Sequence, residues 1–277
     1  IMSSVFIISA LLAFIQSATE FLPVSSSAHL LLVSTFGFSQ HGIFSDVALH
    51  FGTLLAVLLY FEEDLRKMIF NLDKDGSERR LFKHLCIATI PIVIVVPLVG
   101  MDMISRLRLP VIVAGASIIF GLLLWLADRF PSANSDLRSM TVADALCIGL
   151  AQILSLVPGV SRSGITITCC RALGFTRRES ARFAMLLSIP TIGGAVVYTF
   201  YYAWKNNELN RILTPDVALG TALSAIMGLL VIRFLMRWVR RSSFAIFAVY
   251  RVILGLFVLD YFLGTFGIIA YIEHLLP

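Results

Sequence analysis

A carboxylate, a histidine and an arginine are the residues of this chain least at home in hydrocarbon, and each stands beside serines. The stretch "TEFLPVSSSAHL" (19–30) carries Glu20, the run Ser25, Ser26 and Ser27, and His29, interrupted by Pro23. A second stretch, "VPGVSRSGIT" (157–166), carries Ser161, Arg162, Ser163 and Thr166 behind Pro158. Serines that open a helix set hydroxyls beside unpaired backbone N–H groups and the positive end of the helix dipole, which suits phosphate. Arg162 adds a permanent charge whose planar fork matches phosphate oxygens. Glu20 would repel a phosphate unless a hard divalent cation, Mg²⁺ or Ca²⁺, bridged the two, and Gln16 offers a neutral oxygen one turn earlier on the same face. His29 follows Ser26 by three residues and shares its face, so it could draw the serine proton. Ser26, His29, Arg162 and a cation then form a phosphoryl-transfer set of nucleophile, proton carrier, charge stabiliser and template. In the alternative, His29 activates water and the serines only bind. The bland alternative makes the serines ordinary caps and Arg162 a snorkelling side chain. Two matched breaks with an intramembrane Arg, Glu and His weigh against it.

The elements that must position these residues are membrane helices. Hydrophobic residues make up 58% of the 277, charged ones 14%, and the mean hydropathy is +0.90. That balance is far from a soluble globular average and reads as a polytopic membrane protein. Crossing roughly 30 Å of hydrocarbon takes about 20 apolar residues at about 1.5 Å each. Six segments suffice, at about 44–68, 81–101, 109–128, 181–204, 217–239 and 244–264. Two more apolar regions, about 3–38 and 142–174, break at "FLPVSSS" and "VPGVSRSG" and leave pieces too short to cross. They read as re-entrant helix–loop–helix hairpins, because irregular backbone survives at membrane depth only against protein or a wet cavity.

The two breaks also resemble each other: Gln16, Pro23 and serines in one, Gln152, Pro158 and serines in the other, each unit followed by three spans. The expected architecture is therefore all-α and integral to the membrane, six full spans plus two re-entrant hairpins in an inverted-topology repeat. It forms a single domain over 1–277, with repeat 1 at about 1–128 and repeat 2 at about 140–264. With both termini outside, most of the 22 basic residues fall on the inner side, which opens the first hairpin outward and the second inward. The net charge of +5 is largely this bias and implies no nucleic acid. The N-terminus lacks a basic n-region, so no cleaved signal is expected. Cys86, Cys147, Cys169 and Cys170 read as buried thiols. Asp46 and His50, an i, i+4 pair, orient the site or tie helices together; Arg251 beside Tyr250 reads as structural; His84 and His274 read as inert. "TIGGA" (191–195) suits contacts within or between subunits, so the sequence allows a homodimer.

"QSATEFLPVSSSAH" and "PGVSRSGIT" resemble the two signature motifs of the undecaprenyl-diphosphatase, or bacitracin-resistance, family, and "FSDVALHFGTLLAV" and "FAVYR" are similar to further family segments. The resemblance covers nearly the whole chain. It implies an integral-membrane phosphatase of the bacterial inner (plasma) membrane that removes the terminal phosphate of undecaprenyl diphosphate and so recycles the cell-wall lipid carrier. It also implies a divalent cation, an active site open to the outer leaflet and paired hairpins in an inverted repeat. Gln16 and Glu20 match the acidic motif, Ser25, Ser26, Ser27 and His29 the serine–histidine segment, and Ser161, Arg162, Ser163 and Thr166 the second motif. Gln16 stands where many members carry Glu, which leaves Glu20 more of that role. The rival readings are a flippase or anion carrier built on the same repeat, and a diphosphatase for a different prenyl lipid. Pure transport needs no proton carrier beside the phosphate.

Overall fold

The computed structural model describes residues 2–26, 28, 29, 32, 43–70, 76–130, 135–212 and 214–264. Among them every regular element is a helix: α1 (Met2–Phe21), α2 (Ile43–Tyr60), α3 (Glu62–Phe70), α4 (Ser77–Arg106), α5 (Pro110–Arg129), α6 (Val142–Ile153), α7 (Arg162–Ala172), α8 (Arg177–Lys205), α9 (Pro215–Trp238) and α10 (Ala245–Leu263). Short turns at Leu137–Ser139, Leu154–Leu156 and Leu209–Ile212 lie between them. Among the described residues five helices are long and apolar enough to cross a membrane: Ser77–Gly100 within α4, α5, α8, Val217–Trp238 within α9, and α10.

The helix ends follow local chemistry. Thr141 and Asp144 close a capping box at the start of α6, and Thr176 and Thr214 cap α8 and α9. Gly100, at φ 73° and ψ 154°, breaks the last turns of α4. The span expected at 44–68 is not one helix, because Phe61 is a turn and α3 begins at Glu62. Its first turn carries Glu62, Glu63 and Asp64, so the apolar pattern has already ended there. Lys67 Nζ reaches Glu63 Oε1 at 2.6 Å in an exposed i, i+4 pair. Of the four cysteines only Cys170 is buried; Cys86 and Cys147 are exposed on the helix bundle, and Cys169 Sγ lies 3.7 Å from Cys147 Sγ.

Small residues let the helices approach closely. α2 lies on α9, where a Cβ on Gly52 would come 2.4 Å from the Thr221 carbonyl oxygen. α6 lies on α4 at Gly149, and α5 on α10 at Gly121 and Gly255. Hydrogen bonds add to this packing. Ser17 Oγ donates to the Ser224 carbonyl at 3.0 Å, and Ser224 Oγ to the Leu49 carbonyl at 2.7 Å, joining α1, α9 and α2.

Two ionic clusters tie helix ends together away from the breaks. Asp128, at the end of α5, accepts from Arg171 Nε at 3.2 Å, Arg177 Nε at 2.7 Å and the Phe244 N–H at 2.9 Å. Arg171 Nη1 also donates to the Phe175 carbonyl, so α5, α7, α8 and the start of α10 share one knot. Arg182 Nη2 reaches Asp64 at 2.7 Å and Glu78 at 2.9 Å, tying α8 to α3 and α4.

Candidate active site

The two interruptions come together. α1 ends at Phe21, Leu22, Pro23 and Val24 bend, and the chain is helical again at Ser26, Ala28, His29 and Leu32. α6 ends at Ile153; a short 3₁₀ turn and the reversal Val157–Val160 lead to Ser161, the cap of α7. The reversal needs Gly159, at φ +103°, where a Cβ would lie 2.3 Å from the Val113 carbonyl oxygen of α5. Ser161 itself holds φ 68° and ψ 116°, a conformation costing about 1–3 kcal/mol. Its Oγ holds it there, accepting from the Gly164 N–H at 3.2 Å and lying 3.2 Å from Ser163 Oγ.

Across the junction Ser163 Oγ donates to the Leu22 carbonyl at 3.0 Å, and Arg162 Nη2 donates to Glu20 Oε1 at 2.8 Å. Arg162 Nη1 reaches the Ala184 carbonyl of α8 at 3.2 Å. The Arg162 and Glu20 side chains are only 13% and 12% exposed, so this charge-assisted pair is poorly screened. The second Glu20 oxygen, Oε2, accepts from Gln16 Nε2 at 3.3 Å and lies 3.8 Å from His50 Nδ1, while Gln16 Nε2 lies 3.2 Å from that same nitrogen. Gln16 and Glu20 thus share one helix face, as their spacing requires.

Among the described residues no three His, Cys, Asp or Glu side chains group as a metal site. A hard cation does not need three: Mg²⁺ typically takes one or two carboxylates and fills its shell with substrate phosphate and water. Glu20 Oε2 offers such a carboxylate oxygen, whereas Gln16 turns its Nε2 toward it and would have to rotate its amide to present an oxygen.

His29 faces another way. Its Nδ1 lies 2.6 Å from the Ser25 carbonyl and its Nε2 2.5 Å from Tyr250 Oη, with the two rings stacked at 5.7 Å. A carbonyl only accepts, so Nδ1 carries the proton; in the neutral ring Nε2 is the free base and accepts from the tyrosine. The Ser26–His29 bond expected from spacing is therefore not made in this arrangement, since both ring nitrogens are engaged elsewhere. His29 also lines an apolar groove of about 360 Å³ with Phe14, Leu22, Trp238, Phe247 and Tyr250.

Ser25 and Thr166 are 1% and 0% exposed, and their hydroxyls have no hydrogen-bond partner among the described residues. Ser26 is half-buried at the start of the returning helix. Ser27, most of the expected 26–38 helix, the Asp46 side chain and His274 fall outside the described residues. Arg251, read as structural, donates through Nη2 to the carbonyls of Gly159 and Val160 at 2.9 and 2.8 Å. Two site residues escaped sequence reasoning in their actual roles. His50 was legible as half of a pair that orients the site or ties helices together, but not as a partner of Gln16 and Glu20, which it meets. Tyr250, on His29, was overshadowed by its charged neighbour.

A family model described as bacitracin resistance protein BacA matches residues 9–257. The undecaprenyl-diphosphatase of Desulforudis audaxviator is 43% identical over 248 residues, 88% of this chain and 93% of its own. That of Alcanivorax borkumensis is 44% identical over 256 residues, covering 88% and 94%. That of Roseobacter denitrificans is 43% identical over 267 residues, covering 91% and 96%. The motifs that meet at the Glu20–Arg162 contact lie inside the matched stretch, and the five apolar helices around them make this a multi-pass membrane protein. By extent and identity together, the chain belongs to the bacitracin resistance protein BacA family.

Proposed function

We propose that this chain hydrolyses undecaprenyl diphosphate to undecaprenyl phosphate and inorganic phosphate at an intramembrane site between the two breaks. The observation that carries the reading is the meeting of Glu20 and Arg162 at 2.8 Å across 142 positions of sequence, which brings the two breaks together. Arg162 and the α7 N-terminus, with Ser161 and Ser163, hold the terminal phosphate, Ser26 and Ser27 hold it from the other side, and Thr166 and Ser25 bind the diphosphate next to them. When bound, a divalent cation supplies the positive charge that lets a phosphate approach Glu20, with Glu20 and Gln16 as its protein ligands. His29 Nε2 takes the proton of the attacking group as the new bond to the terminal phosphorus forms and the bond to the bridging oxygen breaks. The bridging oxygen leaves on undecaprenyl phosphate. Because Nδ1 is held by the Ser25 carbonyl and Nε2 by Tyr250 Oη, the tyrosine hydroxyl must move aside before Nε2 takes a proton, whether water or Ser26 attacks.

The finer architecture belongs to this reading: six spans plus two re-entrant hairpins in an inverted repeat. A two-fold exchange of repeats would turn the α1–α9 contact into the α6–α4 contact and return the α5–α10 and α2–α8 contacts to themselves; all four contacts are present. An outward-open site in the plasma membrane with both termini outside follows from the inner-side bias of basic residues. There it meets carrier lipid released after cell-wall use and recycles it. A homodimer through α8 belongs here too, since the Cβ positions of Gly193 and Gly194 face open space.

The test is phosphate release from undecaprenyl diphosphate by purified protein in detergent. His29→Ala loses about 10²–10⁴-fold. Ser26→Ala loses markedly less under attack by water; a loss equal to that of His29→Ala, with a trapped phosphoserine in wild type, makes Ser26 the nucleophile instead.

A further inference from the structure

Arg251 is the largest side chain in the described protein with no solvent exposure. Its guanidinium uses Nη2 on the Gly159 and Val160 carbonyls, whereas Nε and Nη1 have no hydrogen-bond partner among the described residues. Nor does a carboxylate pair with it there, as one pairs with Arg162, Arg171, Arg177 and Arg182. A guanidinium does not discharge itself by losing a proton, so a buried positive charge with idle donors stands without an anion. Such a group is expensive to retain unless something negative joins it.

Its surroundings say where that anion would sit. A Cβ on Gly164 would lie 2.6 Å from Arg251 Nη1, and one on Gly121 would lie 3.0 Å from Arg251 Cβ. Two glycines, on α7 and α5, thus leave the room that seats the guanidinium against the first turn of α7, an 11-residue helix. The positive end of that helix faces the same place. Two further buried groups with no partner among the described residues stand on the elements of the two breaks: Thr166 Oγ1 on α7 and Ser25 Oγ after the first.

We propose that Arg251 is a second phosphate-binding cation of this site, taking with Thr166 and Ser25 the phosphate group of a diphosphate that Arg162 does not hold. The inference rests on the diphosphatase reading for its substrate, but the chemistry recognised is a phosphate oxygen, free or lipid-borne. Arg251 also braces the Gly159–Val160 reversal, and a brace alone would leave anion affinity untouched in whatever protein folds.

The experiment follows thermal unfolding of the purified full chain in detergent, with and without inorganic pyrophosphate, inorganic phosphate or undecaprenyl phosphate. Wild type, Arg251→Met and Arg251→Lys are compared, each against its own anion-free midpoint, alongside KM and kcat. The expected result is protection of wild type that vanishes in Arg251→Met, with KM raised on the order of tenfold or more. Protection by pyrophosphate as well as by the lipid makes the cradle a free-anion site; protection by the lipid alone makes it a lipid-phosphate site. Equal protection and unchanged KM in Arg251→Met overturns the proposal. Should Arg251→Met not fold, Arg251→Lys decides, by weakened protection in favour and unchanged protection against. A wild type that is protected through Arg251 yet releases no phosphate defeats the diphosphatase reading and not this one.

Discussion

Removing Arg162 separates its two roles, because its partner can be removed with it. In Arg162→Ala the Glu20 carboxylate, 12% exposed, loses a donor at 2.8 Å and keeps only Gln16 at 3.3 Å and His50 at 3.8 Å. Breaking a buried ion pair from one side costs about 3–5 kcal/mol. The two remaining neighbours offset part of this, so a loss of about 2–4 kcal/mol is expected. Adding Glu20→Gln removes the stranded charge and should return at least about 1.5 kcal/mol, a coupling that a double-mutant cycle by thermal or denaturant unfolding in detergent reads directly. Activity should not follow stability. Arg162 aims charge at the transferring phosphate, a contribution of about 10²–10³-fold per donor, and Glu20→Gln cannot replace it. The expected outcome is a double variant that is better folded than Arg162→Ala and no more active. Because Glu20→Gln also removes a cation ligand, the clamp itself is read from Arg162→Ala alone: phosphate release near wild type per folded molecule would make Arg162 a structural brace and refute the clamp.

Two further outcomes follow from the same geometry. Tyr250→Phe keeps the stacked ring but removes the hydroxyl 2.5 Å from His29 Nε2, so it frees the base at a cost of about 1 kcal/mol in stability; phosphate release should stay within about tenfold of wild type, and a loss as deep as that of His29→Ala would put the tyrosine in the chemistry. Gly159→Ala forces an L-residue into φ +103° and a methyl to 2.3 Å from the Val113 carbonyl, so the second break should shift and both stability and activity fall; unchanged unfolding would mean that the reversal is more pliant than its packing implies.

What the sequence made legible were the features with a local cause. Pro23 and Pro158 with their serines marked both breaks, and the sparseness of charge marked the long helices. The polar run after Phe61 carried the same local signal, but counting apolar residues across 44–68 averaged it away. Residue types at the site were legible because Glu20, Arg162 and His29 are costly in hydrocarbon. Their partners were not. His50 reaches Gln16 across 34 positions and Tyr250 reaches His29 across 221, and such meetings depend on the rotation of α2 and α10 about their own axes. That rotation is set by close contacts such as those at Gly52 and Gly255, which one sequence does not reveal. Cysteine burial failed for a related reason: an apolar run tells that a thiol avoids water, not whether it faces protein or lipid.

The most direct test of the central claim is phosphate release from undecaprenyl diphosphate by folded protein in detergent, with chelator, with Mg²⁺ or Ca²⁺ restored, and in Glu20→Ala. The proposed mechanism predicts release that stops with chelator, returns with the cation and is lost in Glu20→Ala. No release from folded wild type, or release indifferent to Glu20, would contradict it.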